Sequence, residues 1–213
     1  MRKLDAFLAA LIGFLDGVIC FFIIQYLQIK VPYSWLLPFF QHFLILPSVF
    51  AFLGVVGIFI ASLIGKKIFF VFQAARFFWV GTLNTFIDLG VVYFLIGITN
   101  IAKGPLYSVF AAISFLIATT NSYFWNKYWT FSASAQGYGG QGKKVSGKEF
   151  GKFFIITTIG LGINVGVASF VVNVIGTQFG LGEKIWAGIG KLVAAFFAFV
   201  WNFLGSKFIV FKK

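Results

Sequence analysis

Of 213 residues, 60% are apolar and only 10% are charged, and mean hydropathy is +0.97. A soluble domain averages roughly 45–50% apolar and 25% charged, so this chain has too little polar surface to fold in water. Its 17 basic and five acidic residues give a net charge of +12, but the basic residues cluster at the ends of apolar runs, which excludes a nucleic-acid-binding face.

Each bilayer crossing needs about 20 apolar residues. Apolar runs predict helices at about 6–27, 43–65, 77–98, 105–126, 153–175 and 185–206: an all-α membrane protein with six transmembrane helices. The first run is long enough to span and is followed by no small-residue cleavage pattern, so it reads as a helix and not as a removable leader. Pro32, Pro38 and Pro105 punctuate the loops, and Pro47 sits in the first turns of the second helix, where a missing donor costs least. Tyr33, Trp35, Trp79, Tyr107, Trp125, Trp129 and Trp186 fall near predicted ends, as an aromatic belt would. The polar stretch at about 132–149, SASAQGYGGQGKKVSGKE, reads as a flexible linker. Cys20 alone excludes a disulfide framework or a cysteine metal site. With His42 and five scattered acids, no metal site, cofactor or catalytic constellation is expected, and there is no P-loop. The chain reads as a non-enzyme.

Thirteen Lys and Arg residues fall on one side of these spans and three (Lys30, Lys103, Lys184) on the other. The positive-inside rule therefore predicts that both termini are cytoplasmic.

Shifting the chain by 80 residues lays the third and fourth helices on the fifth and sixth. Asn84 falls on Asn164, Val91-Val92 on Val171-Val172, Lys127 on Lys207 and Phe131 on Phe211. The hairpins end alike, in NSYFWNKYWTFS (121–132) and WNFLGSKFIVFKK (201–213). A fainter third copy joins GFLDGV (13–18) with SLIGKKIFFVF (62–72). Three parallel helical-hairpin repeats are expected, related by an axis along the membrane normal.

RFFWVGTLNTFIDLGVVYFLIG (76–97) followed by NSYFWNKYWTF (121–131) resembles the GtrA-like family of small membrane proteins. The shared pattern is an aromatic start, VG-x-x-N-T-x-x-D, and a closing N-x₄-N-K-x-W-T-F. The resemblance covers about 74–213. It implies a four-helix domain, 74–213, of two hairpins (76–131 and 156–211) joined by the cytoplasmic loop 132–149, with residues 1–73 as an extra N-terminal hairpin. It also implies a role in moving polyprenyl-phosphate-linked sugars across a prokaryotic plasma (inner) membrane for cell-envelope glycosylation. The alternatives are a non-catalytic membrane partner of a glycosyltransferase that uses such lipids, and a small-solute or ion transporter. Expected partners are membrane lipids, the lipid-linked sugar, a glycosyltransferase in the second reading, and a further copy of the chain, since small-residue faces suit an oligomer as well as a bundle.

Intramembrane ionisable residues are expensive and mark functional sites by default. Asp88, about 18 Å along the helix from Arg76 at 1.5 Å per residue, falls near mid-bilayer. Asn84 lies one turn before it, and Asp16 and Asn164 at comparable depth complete an intramembrane polar set. The plainer reading of these groups is hydrogen-bonding glue between helices. Asp88 could equally serve as a proton site or as counter-ion to a lysine. Lys191 is the candidate partner: it rides a stripe of Ala187, Gly188, Ala194, Ala195, Ala198, Asn202 and Gly205. Such a stripe is a helix–helix face, though a lysine there could also snorkel to the headgroups. Its repeat equivalent is Ala111, so Lys191 breaks the symmetry, as a site for one anionic ligand would. A second cluster, Arg76, Lys127 and Lys207 with Asn121, Asn126 and Asn202, has the cations and amides to hold a phosphate or pyrophosphate. Those cations also satisfy the positive-inside rule without any substrate. Gly54, Gly57, Ala61 and Gly65, and the G-x-x-x-G of Gly162 and Gly166, read as close-packing faces.

Overall fold

A computed structural model describes residues 2–28, 42–130, 147–205 and 209; at 69, 70, 123, 127, 147–150, 153 and 203 it describes backbone alone. Among the described residues the chain is all-helical. The helices are α1 (Lys3–Leu27), α2 (Ile45–Gly65), α3 (Phe69–Thr99), α4 (Pro105–Trp125), α5 (Gly147–Ser169) and α6 (Glu183–Gly205). Two of them end in a wider π-helical turn: α4 through Asn126–Thr130 and α5 through Phe170–Ile175. All six are long and apolar enough to cross a bilayer. The protein is a multi-pass membrane protein.

Local chemistry sets the helix ends. Asp5 lies in the first turn of α1 and Glu183 in that of α6, where carboxylates favour the positive end of the helix dipole. Gln28 (φ 50°) and Asn100 (φ 57°) leave α1 and α3 in the left-handed conformation, and the Asn100 N–H donates back to Ile96 O. Pro105 opens α4 at the position where its missing N–H costs nothing. The third and fifth helices start earlier than the apolar runs suggested. Phe69 and its neighbours extend α3 below Arg76, and Gly147, Lys148 and Glu149, placed in the linker by composition, are already helical. The rest of that linker, Tyr33, Trp35 and Lys30 lie outside the described residues.

Large apolar side chains such as Phe7, Phe52, Phe94, Phe154 and Phe196 face outward. The inward faces combine alanines and the polar residues Asp5, Asp16, Arg76, Asp88, Asn164 and Lys191 with larger side chains such as Phe72, Leu83 and Tyr107. That arrangement suits lipid, where hydrophobicity gives helices no reason to associate and close packing and hydrogen bonds take over.

Two compact units divide the chain: Met1–Phe86 with Ser122–Gly142, and Ile87–Asn121 with Lys143–Lys213. In the first, α1 packs along α2. Gly13 and Gly17 lie so close to the Phe50 carbonyl and to Pro47 that a Cβ at either would clash with backbone, and Gly54 likewise meets the Ala9 carbonyl. Gly57 lies on the Trp79 ring and Gly65 on Phe72, as a close-packing stripe requires. In the second unit α5 packs along α6. The small stripe of α6 is buried there, with Ala187, Ala194 and Ala198 at 0–3% exposure. Gly162 and Gly166, by contrast, have open space around them. Their G-x-x-x-G seats no helix of the described chain.

Candidate functional site

Among the described residues, each unit holds one buried ion pair. In the second unit, Lys191 on α6 is fully buried, with its ammonium 2.8 Å from Asp88 Oδ2 on α3. The same Nζ donates to Asn164 Oδ1 on α5 at 2.6 Å and to the Ala111 carbonyl on α4 at 3.4 Å. An ammonium has three donors, and all three are used. The snorkelling alternative is therefore excluded: the side chain runs into the unit, not toward headgroups. Asp88 is 4% and Asn164 1% exposed, and Ser114, also buried, lies beside Asp88. Asp88 Oδ1 has no hydrogen-bond partner. Lys191 sits eight residues into α6, about 12 Å along it, so the charge lies deep within the span.

Around this centre the packing is close. Tyr107, 0% exposed, donates its hydroxyl to the Ala187 carbonyl at 2.8 Å. Gly188 faces the Tyr93 hydroxyl so tightly that a Cβ would overlap it, and Gly190 faces Val172, Tyr107 and the Ala168 carbonyl. Two of these contacts join positions 80 residues apart, Tyr107 with Ala187 and Ala111 with Lys191.

In the first unit the ion-paired carboxylate is Asp5, which composition alone did not single out. Arg76 Nη2 donates to its Oδ1 at 2.7 Å, the Trp129 indole N–H to the same oxygen at 3.1 Å, and Arg2 Nε to Oδ2 at 3.2 Å. Arg76 is 1% exposed, with its guanidinium over Phe72 at 4.3 Å and Trp129 at 5.9 Å from the ring centroids. Asp16, in the same unit, is fully buried and neither carboxylate oxygen has a hydrogen-bond partner. Its polar neighbours are Thr82 and Cys20.

The sequence candidates therefore separate. Lys191, Asp88 and Asn164 come together. Asn84 is half-buried and engaged, and it and Asp16 belong to the first unit. Of the phosphate cluster, Arg76 is enclosed with Asp5. Asn126 donates to Ser122 Oγ at 3.0 Å in the first unit. Asn121 and Asn202 belong to the second unit, Asn202 beside Gly160. Neither unit by itself gathers the proposed phosphate cluster. The Lys127 side chain and Lys207 lie outside the described residues. Three belt aromatics are corrected: Tyr107, Trp129 and Trp186 are buried, and each donates a hydrogen bond inside the protein, Trp186 Nε1 to the Val171 carbonyl at 3.0 Å. Among the described residues no group of His, Cys, Asp and Glu could hold a metal ion.

Both ion pairs draw on the stretch that opens at Arg76, and the profile of the GtrA/DPMS transmembrane domain matches residues 76–211. The chain belongs to the GtrA/DPMS transmembrane domain family. GtrA/DPMS proteins are membrane proteins of lipid-linked sugar handling and are generally non-catalytic. A relative from Bacillus subtilis (strain 168), named Uncharacterized membrane protein YngA, is 29% identical over 136 residues, which is 64% of this chain and 77% of the relative. No solved structure matches the chain. The GtrA/DPMS segment contains Arg76, Asp88, Trp129, Asn164 and Lys191; Asp5 and Asp16 come from the part that precedes it.

Proposed function

We propose that this protein translocates a polyprenyl-phosphate-linked sugar across a prokaryotic inner membrane for cell-envelope glycosylation, as a non-enzyme with both termini cytoplasmic. We read residues 74–213 as the transport domain and 1–73 as an N-terminal hairpin added to it. The α3–α4 and α5–α6 hairpins are taken as parallel repeats, with the fainter N-terminal copy as a third. The meeting of positions 80 residues apart supports that reading.

The observation that carries the proposal is the buried Lys191–Asp88–Asn164 centre inside the family segment. A charged centre deep in a bilayer is costly to maintain and marks substrate or ion pathways. Here a cation is held by a carboxylate and an amide, partners that an anionic phosphodiester could replace with the same charge and acceptor chemistry. A membrane anchor for a glycosyltransferase would need no such centre.

The test is reconstitution in liposomes carrying a fluorescent polyprenyl-phosphate sugar, with an impermeant reagent outside. Faster trans-bilayer exchange than in empty liposomes, lost in Lys191→Met, is the expected result. No acceleration from folded, inserted protein would replace translocation with the accessory role, and a co-purifying glycosyltransferase would then be sought. Exchange that persists undiminished in Lys191→Met would detach the activity from this centre.

A further inference from the structure

The second unit has a cavity that neither ion pair explains. It lies between the α3–α4 and α5–α6 connections, has a volume of about 450 Å³, and is lined by Lys103, Gly104, Asn173, Thr177, Glu183 and Trp186 among others. Small-molecule sites run from roughly 300 to 1,000 Å³. We propose that this cavity binds a sugar ring, the glycosyl headgroup of the lipid-linked substrate; the identification of the ligand as substrate rests on the translocation reading.

The walls are built, not incidental. Asn173 joins the two connections in both directions: its Oδ1 accepts the Gly104 N–H at 2.6 Å, and its Nδ2 donates to Gly104 O at 3.2 Å. Its amide also reaches Ser108 Oγ at 3.3 Å, and Ser169 donates to that hydroxyl at 2.7 Å. Trp186 is 6% exposed and anchored by its indole N–H to Val171 O, so the edge it gives the cavity is rigid and apolar. The π-helical turn Phe170–Ile175 carries both Asn173 and Val171; such turns occur frequently at functional sites.

The charge balance selects the ligand. Lys103 Nζ lies 2.6 Å from Glu183 Oε1, and the two side chains remain 67% and 49% exposed. The lysine's charge is already answered, and a phosphate would meet a carboxylate at the same place. An acyl chain would waste the polar wall. A neutral polyhydroxyl ring uses all of it: hydroxyls to the ammonium, the carboxylate and the Thr177 hydroxyl, and a C–H face to the indole. The cavity lies where the chain leaves the apolar spans, at Thr99, Pro105, Ile175 and Glu183. It is also separate from Lys191, because the intervening turn of α6, Ala187–Gly190, is filled by Tyr107 and Tyr93. Sugar and phosphate would thus be handled at different depths of one unit.

Saturation-transfer NMR on the full chain in nanodiscs tests this, with a panel of methyl hexosides and methyl N-acetylhexosaminides as probes and inorganic phosphate as competitor. The expected result is transfer to the ring protons of at least one glycoside, unaffected by phosphate. Affinity should fall about tenfold in Glu183→Gln, which exchanges a charged acceptor oxygen for an amide donor, and in Thr177→Val, which removes a hydroxyl. No transfer from folded protein to any glycoside overturns the proposal, as does displacement by phosphate or unchanged binding in both variants. Glycoside binding without lipid exchange in liposomes would sink translocation and leave the sugar site standing. Lipid exchange with no glycoside binding would do the reverse.

Discussion

The two buried ion pairs use the same charges in opposite ways. At Asp5, one carboxylate collects a buried guanidinium, a second arginine and an indole N–H, and the guanidinium is also held by two aromatic rings. Arginine's planar fork and flat faces make that arrangement a clamp with one geometry. At Asp88, a lysine point charge is shared among a carboxylate, an amide oxygen and a carbonyl from three helices. A compact ammonium can exchange one acceptor for another without reorienting a plane. The first geometry is a rigid clamp; the second is the one that our translocation proposal requires to trade partners.

The largest test of that contrast is Lys191→Met, which leaves Asp88 buried and unpaired. It should cost about 3–5 kcal/mol, read as thermal unfolding in detergent. Adding Asp88→Asn should recover most of the stability and none of the lipid exchange. Full recovery of exchange in the double variant would make the pair a structural clamp like the other.

Next comes Arg76→Lys, which keeps the charge but loses the fork and most of the ring contact. A loss of about 1–3 kcal/mol is expected, with lipid exchange per folded molecule unchanged. A variant of normal stability that no longer exchanges lipid would move the first centre into the transport machinery.

Gly13→Ala places a methyl against the Phe50 carbonyl and should cost about 1–3 kcal/mol. Gly162→Ala, with open space around it, should change stability by less than about 0.5 kcal/mol. Parallel unfolding curves of the two variants would contradict the packing described for α1 and α2. The smallest effect is expected for Lys103→Ala, whose exposed pair with Glu183 contributes at most about 1 kcal/mol.

This glycine pair shows where sequence reading stops. G-x-x-x-G occurs at 13–17 and at 162–166, and only the surroundings tell that the first is jammed against a helix and the second is open. Spans were readable because lipid demands long apolar runs. The Lys191–Asp88 pairing was readable because the lysine sat on a stripe of alanines and glycines that only a packed face would carry. Asp5 was not: its partners Arg76 and Trp129 lie 71 and 124 residues away. The one local hint was an acid beside Arg2 and Lys3 at the start of an apolar helix. Belt and core aromatics also look alike in sequence, since Tyr107 and Trp186 sit near helix ends in either case. What decides is a carbonyl within reach of the hydroxyl or indole.

The sum of charges at Lys191 and Asp88 is zero whichever of the two holds the shared proton. A transmembrane voltage therefore does no work on the resting pair, however deep it lies. An anionic headgroup that took the carboxylate's place and was carried outward would change that. Each elementary charge moved through 100 mV is worth about 2.3 kcal/mol, and a negative interior would push the phosphate outward, the direction of the translocation we propose.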